Sequence, residues 1–394
     1  MPHTHPAGTN KHVVLMGKEH IEVQYRPMPL IKPHEVLVKV MATGLRVFWP
    51  LCGTDVSFYT RGGIGSRVVS QPLVLGHEGA GIIHAVGSEV TGVAVGDHVA
   101  IEPALPCRTC RFCRSGQWNY CERDNYFATP GTDGTLCQYY ACPATSCVPL
   151  PPNLSWPEAG CIQPLAIAVQ IARRAGQLAH AAVGVMGCGP LGLLCMAVAK
   201  SYGAREIIGI DRVPGRVAFA RKYAATHSAV NPEKDMMAET DGQRVAVKGR
   251  GSKLRLVGDE MAWLDNWVEE HLPKWGVQHG LDVVIDVTGA EPCMQLAVAL
   301  LRPGGTLILA GMGRPLTRFP TLEVASKELN VIGSLRYTSR CYEDGIHLVE
   351  RGLVNLAPIV TKTVPLCKAE DAFKAARNGT STGTDMKVVI MNQE

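Results

Sequence analysis

Residues 181–211, AAVGVMGCGPLGLLCMAVAKSYGAREIIGID, restrict the available folds more than any other stretch of the chain. The order is an apolar run, a glycine-rich turn, a helix-length segment and a second apolar run. Parallel neighbours in a sheet need a crossover of about a dozen residues or more, so this order reads as strand, turn, helix and a second strand parallel to the first. Gly187-Cys188-Gly189-Pro190-Leu191-Gly192 is G-x-G-x-x-G at the point where the helix opens. The glycines allow a tight turn and bring backbone N–H groups to a pyrophosphate at the positive end of the helix. Asp211 closes the second strand nineteen residues after Gly192, where a carboxylate can accept hydrogen bonds from ribose hydroxyls. A fixed carboxylate there repels the extra phosphate of NADP, so NAD is the expected dinucleotide. Arg212 and Arg216 close by keep NADP open.

AVGVMG, EIIGID, DVVIDVTG and GTLILAG are near-continuous β-rich runs separated by helix-length segments, the pattern of a parallel sheet covered on both faces. The uncharged stretch 181–199 is long enough to suggest a membrane span. Gly184, Gly187, Gly189, Pro190 and Gly192 crowd its first half, however, and fit a buried strand and turn instead. Before residue 164 the runs are shorter (HEVLVKV, AGIIHAVG, HVAIEP) and broken by Gly and Pro, as in an irregular, mostly β domain. The expected class is α/β, with a mostly β domain over 1–163, a doubly wound parallel sheet over 164–335 and a return to the first domain over 336–394. With 394 residues, 46% hydrophobic and 19% charged, the chain has the balance of a soluble globular protein. A formal charge of +4 points to neither nucleic acid nor an acidic membrane surface. MPHTHPAGTN lacks the basic start and apolar core of a signal peptide and MNQE carries no anchor, so the cytoplasm is the expected compartment.

Fourteen cysteines are many, and a cytosol would keep them reduced. Cys107, Cys110, Cys113 and Cys121, in PCRTCRFCRSGQWNYC, follow C-x2-C-x2-C-x7-C. Four thiolates from one loop complete the tetrahedral shell of zinc and leave no place for water or substrate, so this site braces rather than reacts. The rivals are an iron–sulfur cluster and a DNA-binding finger, the latter encouraged by Arg108, Arg111 and Arg114. No basic recognition helix with paired histidines follows. Cys52 in CGTD and His77-Glu78 in GHE offer a thiolate, an imidazole and a carboxylate, three zinc ligands with a fourth position open for chemistry. Cys137, Cys142, Cys147, Cys161, Cys188, Cys195, Cys293, Cys341 and Cys367 read as small buried hydrophobes.

This combination resembles the zinc-dependent medium-chain dehydrogenases, and within them the polyol (sorbitol and xylitol) dehydrogenases. The resemblance covers nearly the whole chain, through CGTDVSFYTRGGIG, LGHEGAGIIHAVG, GDHVAIEP, the four-cysteine lobe, FATPGTDGTLCQYY, GCGPLG, VIGSLRY and KVVI. It implies a GroES-like catalytic domain interrupted by a Rossmann domain, NAD and two zinc ions per chain, and oxidation of a secondary alcohol of a sugar alcohol to the ketose. By motif, it implies catalytic zinc on Cys52, His77 and Glu78, structural zinc on the four-cysteine lobe, and Thr54 as a relay hydroxyl. It makes Phe58 and Tyr59 the substrate wall, and gives Arg336 and Tyr337 to distal hydroxyls or ordered water. The implied partner is a small polyol, with neither nucleic acid nor membrane. Family members form tetramers or dimers through the Rossmann edge, which puts the expected contact at PTLEVASKELNVIGSLRY (320–337).

The chain departs from that pattern in three places. The polyol branch usually carries EPL near the zinc, and here the stretch is Gln163-Pro164-Leu165. A Cys⁻, His, Glu⁻ set around Zn²⁺ is neutral, and a glutamine keeps it so where an added carboxylate would make it negative. Glutamine there suits some sugar 1-dehydrogenases of the wider family, so an aldose 1-dehydrogenase or simple alcohol dehydrogenase is the enzymatic alternative. RVFWPL (46–51) stands as six extra residues just before Cys52, either a bulge that leaves CGTD in place or translated intron. A member that lost its catalytic zinc is therefore the non-catalytic alternative, and a zinc-finger interaction protein the third. The basic stretch VKGRGSKLRLVGDE (247–260) is expected to be a surface loop.

Overall fold

The computed structural model describes residues 8–46, 54–65, 67–123, 125–231, 259–378 and 385–392. The chain forms two units, one of residues 1–170 and 335–394 and one of residues 171–334. The first division falls inside the helix Ile162–Ala175, and the expected boundary at 163/164 lies in that helix's first turn. Residues 47–51 of the extra stretch, Cys52, and 247–258 of the basic stretch lie outside the described residues. Asp259 and Glu260 open the helix Asp259–Lys274.

In the first unit the strand Glu35–Arg46 is central. It pairs antiparallel with Gly79–Val86 on one side and, on the other, with Tyr139–Pro143 along its first half and Lys387–Met391 along its second. The sheet runs on through His98–Ile101 to Cys147–Pro149, and through Lys387–Met391 to a parallel strand, Val360–Pro365, seven strands among the described residues. These runs are rich in Val and Ile, whose branched side chains fill a pleated, half-buried surface. A smaller sheet of Thr9–Gly17, His20–Pro27 and Leu73–Val74 joins the helices Thr54–Arg61 and Ala369–Asn378 around a core that includes Val13, Leu15, Phe58, Tyr59, Phe373 and Ile390.

The second unit is a six-stranded parallel sheet in the order His227–Val230, Glu206–Asp211, Ala182–Met186, Leu281–Asp286, Leu301–Leu309, Asn330–Gly333. Numbered along the chain this is 3-2-1-4-5-6, and the reversal between the first and fourth strands opens a crevice at their carboxyl ends. Ala182–Met186 is buried at every position, as a strand with helices on both faces must be. Gly187 takes φ +99°, where a side chain is costly, and a Cβ on Gly192 would overlap the Gly187 carbonyl. Residues 181–199 thus fold as strand, turn and helix. No helix among the described residues is long and apolar enough to cross a membrane. Of the nine cysteines expected to be buried hydrophobes, seven are buried, but Cys293 is half-buried and Cys367 is exposed.

Candidate active site and metal sites

His77 and Glu78 sit in the turn before the strand Gly79–Val86, and register on the central strand decides what they meet. Gly79 pairs with Thr43, while Val389 pairs with Gly44 from the opposite side. Gly44 donates its N–H to Glu78 O at 3.0 Å, and because it has no side chain, Glu78 and Lys387 can reach across it. A Cβ there would overlap Glu78 Oε2 and lie 2.9 Å from Lys387 Cε. In that space Lys387 Nζ forms an ion pair with Glu78 Oε2, their side chains 1% and 7% exposed. Glu78 Oε1 has no hydrogen-bond partner among the described residues. His77 is held from the other side by Asp55, in the first turn of the helix Thr54–Arg61, whose Oδ2 lies 2.9 Å from His77 Nδ1. The His77 N–H is not aligned on that oxygen, so the contact is electrostatic. Asp55 Oδ1 accepts the N–H of Gly76 at 3.1 Å, which ties the helix to the GHE turn. A carboxylate beside Nδ1 leaves Nε2 as the nitrogen free for a metal, the usual support of a ligating histidine.

Around His77 a polar wall assembles from three separate segments. Tyr126, in a short strand paired with Ala104, brings its ring to 6.0 Å from the His77 ring. Gln163, in the first turn of Ile162–Ala175, donates Nε2–H to Tyr126 Oη at 2.9 Å. The Arg336 guanidinium lies over the Tyr126 ring, 4.4 Å from its centroid. Burial pushes the Tyr126 hydroxyl up to about 12, so it stays neutral and able to donate. Tyr337 packs edge-on against Tyr342 at 5.2 Å, and both hydroxyls are buried with no aligned partner among the described residues. Glu102 stands near these tyrosines. Burial, with Glu343 adding to it and Arg108 opposing, raises its carboxyl to about 8.

The four-cysteine lobe is separate and closed. Among the described residues it is the group of three or more potential ligands whose donor atoms all lie within 4.8 Å of one another. Backbone N–H groups point at sulfur, Cys107 N to Cys121 Sγ and Cys110 N to Cys107 Sγ, each at 3.3 Å. The Thr109 hydroxyl and the Cys110 N–H pull the Cys107 thiol down to about 5. Desolvation and the neighbouring thiols push Cys113 up to about 12. Donors that favour thiolates, crowded until the thiolates repel, fit a divalent cation that removes the repulsion.

In the second unit Asp211 is fixed at the end of its strand, accepting the N–H of Cys188 at 2.8 Å and of Val213 at 2.9 Å. It is thereby tied to the glycine turn that carries Gly187, Gly189 and Gly192. Arg216, in the first turn of the helix Pro214–Tyr223, is 5% exposed, and its Nη1 lies 3.9 Å from where a Cβ on Gly189 would stand.

The structure brings His77, Glu78, Gln163, Arg336 and Tyr337 into one unit. Thr54 opens the helix that holds Asp55, and Cys52 lies outside the described residues. Phe58 and Tyr59, expected to wall the substrate, instead pack in the hydrophobic core at 0% and 1% exposure, with the Tyr59 ring 5.3 Å from Phe373. Their face of the helix is turned inward because the C-terminal helix covers it. Asp55, Tyr126 and Lys387 were not singled out from the sequence, although CGTD and KVVI contain two of them. A charged residue opening an otherwise apolar strand was the available signal for Lys387.

The family model of the alcohol dehydrogenase GroES-like domain matches residues 32–152, and that of zinc-binding dehydrogenases residues 190–351. The chain is 40% identical over 375 residues to the probable D-xylulose reductase A of Emericella nidulans, covering 95% of both. It is 42% identical over 371 residues to the probable D-xylulose reductase A of Aspergillus fumigatus, covering 94% of both. Among solved structures, L-idonate 5-dehydrogenase of Escherichia coli matches with a TM-score of 0.80 over 98% of both chains at 24% identity, a likeness of fold alone. Identity at the level of the two reductases, sustained along nearly the whole of each chain, makes this protein a member of the zinc-dependent medium-chain dehydrogenase family, among the polyol dehydrogenases.

Proposed function

We propose that this chain oxidises a secondary alcohol of a pentitol such as xylitol to the ketose, with NAD, and runs the reverse reduction. The observation that carries the reading is the 40% identity to a D-xylulose reductase across 95% of both chains. The polar wall beside His77 supports it, since a polyol offers hydroxyls at every carbon to a group such as Arg336, held over the Tyr126 ring; Tyr337, at 1% exposure, backs that wall from the interior. When bound, zinc supplies a Lewis acid for the reacting hydroxyl and NAD a hydride acceptor. Cys52, His77 and Glu78 would hold that zinc, and the four-cysteine lobe a second, structural one. Asp55 orients the His77 ring, Lys387 holds one oxygen of Glu78, and Thr54 Oγ1 moves a proton toward solvent. Gln163, held by Tyr126, adds no charge to the site. Asp211 stands ready for ribose hydroxyls, which favours NAD over NADP. The edge strand Asn330–Gly333, with Val331 and nearby Leu322 exposed, supports pairing with a second copy of the chain. Free thiols at every described cysteine suit the reducing cytoplasm.

The test is zinc analysis with NAD reduction on xylitol, sorbitol and glucose, for the wild type and Cys52→Ser. Two zinc ions per chain with turnover on a polyol, falling to one zinc without turnover in the variant, is the expected result. Equal zinc in both forms removes Cys52 from the ligand set. One zinc with no turnover in the wild type makes the chain a non-catalytic member, and turnover on glucose alone makes it an aldose dehydrogenase.

A further inference from the structure

The four-cysteine lobe does not only close on itself. Two hydrogen bonds connect it to the segment 335–339: Asn119 Nδ2–H donates to Leu335 O at 3.1 Å, and Ser339 N–H donates to Gly116 O at 3.3 Å. Leu335 is the first residue of the chain's return to the first unit. Between the two anchors Arg336 adopts φ +52°, a left-handed conformation that a residue with a side chain keeps only where its surroundings hold it. That conformation accompanies the placement of the Arg336 guanidinium over the Tyr126 ring and of Tyr337 in the interior at 1% exposure. A cavity of about 10 Å³, room for one water, lies between lobe and segment and is bordered by Trp118, Asn119, Arg336 and Tyr337. Asn119 Oδ1 and Trp118 Nε1 are buried there without a partner among the described residues, which suits an ordered water completing the junction.

We propose that Asn119 is a positioning residue for substrate: by clamping Leu335 it fixes the turn at Arg336, and with it the reach of the half-buried Arg336 toward the far hydroxyls of a polyol. The proposal rests on the reading of Arg336 given above. It makes the metal lobe a determinant of substrate affinity from outside the reacting centre. The amide is suited to the task because the Leu335 carbonyl requires a donor, whereas an aspartate of the same shape would set a carboxylate against it.

The experiment compares Asn119→Ala, Asn119→Asp, Arg336→Ala and the double variant Asn119→Ala/Arg336→Ala by steady-state kinetics on xylitol and on butan-2-ol, with zinc content and melting temperature measured alongside. Loss of one neutral hydrogen bond should raise the KM for xylitol about three- to tenfold in Asn119→Ala, and at least as much in Asn119→Asp. The kcat, the KM for NAD, the KM for butan-2-ol and the zinc content should stay at their wild-type values, since none of them draws on the turn at Arg336. In the Arg336→Ala background, Asn119→Ala should add nothing. Additive effects in the double variant, or a fall in zinc content and kcat together, would overturn the clamp while leaving the polyol reading intact. An unchanged xylitol KM in Arg336→Ala would overturn the clamp together with the role given to Arg336.

Discussion

Replacing Lys387 by methionine breaks the ion pair on which the proposed ligand Glu78 depends. The ammonium group is 1% exposed and faces a carboxylate that is 7% exposed. Glu78 has no other side-chain hydrogen bond among the described residues, so the substitution strands a buried charge. Breaking one side of such a pair costs about 3–5 kcal/mol, far more than the pair contributes relative to an apolar replacement, because desolvation has already consumed most of the Coulombic gain. In a unit of this size about 1 kcal/mol corresponds to roughly 2–4 °C of melting temperature, so Lys387→Met should melt about 6–20 °C below wild type in the metal-free protein. Adding Glu78→Gln removes the charge itself, and the double variant should recover most of the loss. A divalent cation at His77 and Glu78 would neutralise the same carboxylate, so the deficit of Lys387→Met should shrink when zinc is restored after chelation. Differential scanning calorimetry with and without chelator reads all three quantities. A deficit below about 1 kcal/mol, or a double variant no better than the single, refutes the stranded-charge argument. A deficit that zinc does not change refutes Glu78 as a metal donor.

Two further outcomes concern Glu102 in the first unit and Asp211 in the second. The Glu102 carboxyl is raised from 4.5 to about 8 in the folded chain, so the folded state keeps a proton that the unfolded state gives up at lower pH. Stability should therefore fall as pH rises from about 4.5 to 8, by up to about 4–5 kcal/mol. Glu102→Gln should match wild type at the acid end and exceed it at pH 9 in urea melts, and parallel pH profiles would contradict this. In the second unit, Asp211→Ser removes charge-assisted hydrogen bonds worth about 1.5–3 kcal/mol, so the preference for NAD over NADP in kcat/KM should fall about 10- to 100-fold. An unchanged ratio would show that Asp211 does not meet the ribose.

What the sequence revealed and what it hid separate along one physical line. The glycine turn and the four-cysteine lobe are legible because each is a local requirement. Gly187 needs a positive φ within its own turn, and Cys107, Cys110, Cys113 and Cys121 converge within a single loop. The features that shape the candidate site are long-range: Glu78 meets Lys387 across 309 residues, Asn119 meets Leu335 across 216, and Gln163 meets Tyr126 across 37. No periodicity encodes such meetings, since they depend on which strands lie beside Glu35–Arg46. Motif position misled at Phe58 and Tyr59 for the same reason, because the helix that buries them begins at Ala369 and nothing near residue 58 announces it. Lys387 is different, for its signal was present as a breach of local rules. Lys387 opens a strand buried at all five positions, and a charge there is tolerable only if an opposite charge is buried with it. Gly44 in the neighbouring strand marks the gap through which that charge must come. A lysine at the head of an apolar C-terminal strand, with a glycine in the neighbouring strand two residues from the lysine's own partner Arg46, therefore calls for a buried acid nearby, and the glutamate of GHE is the acid that register brings there.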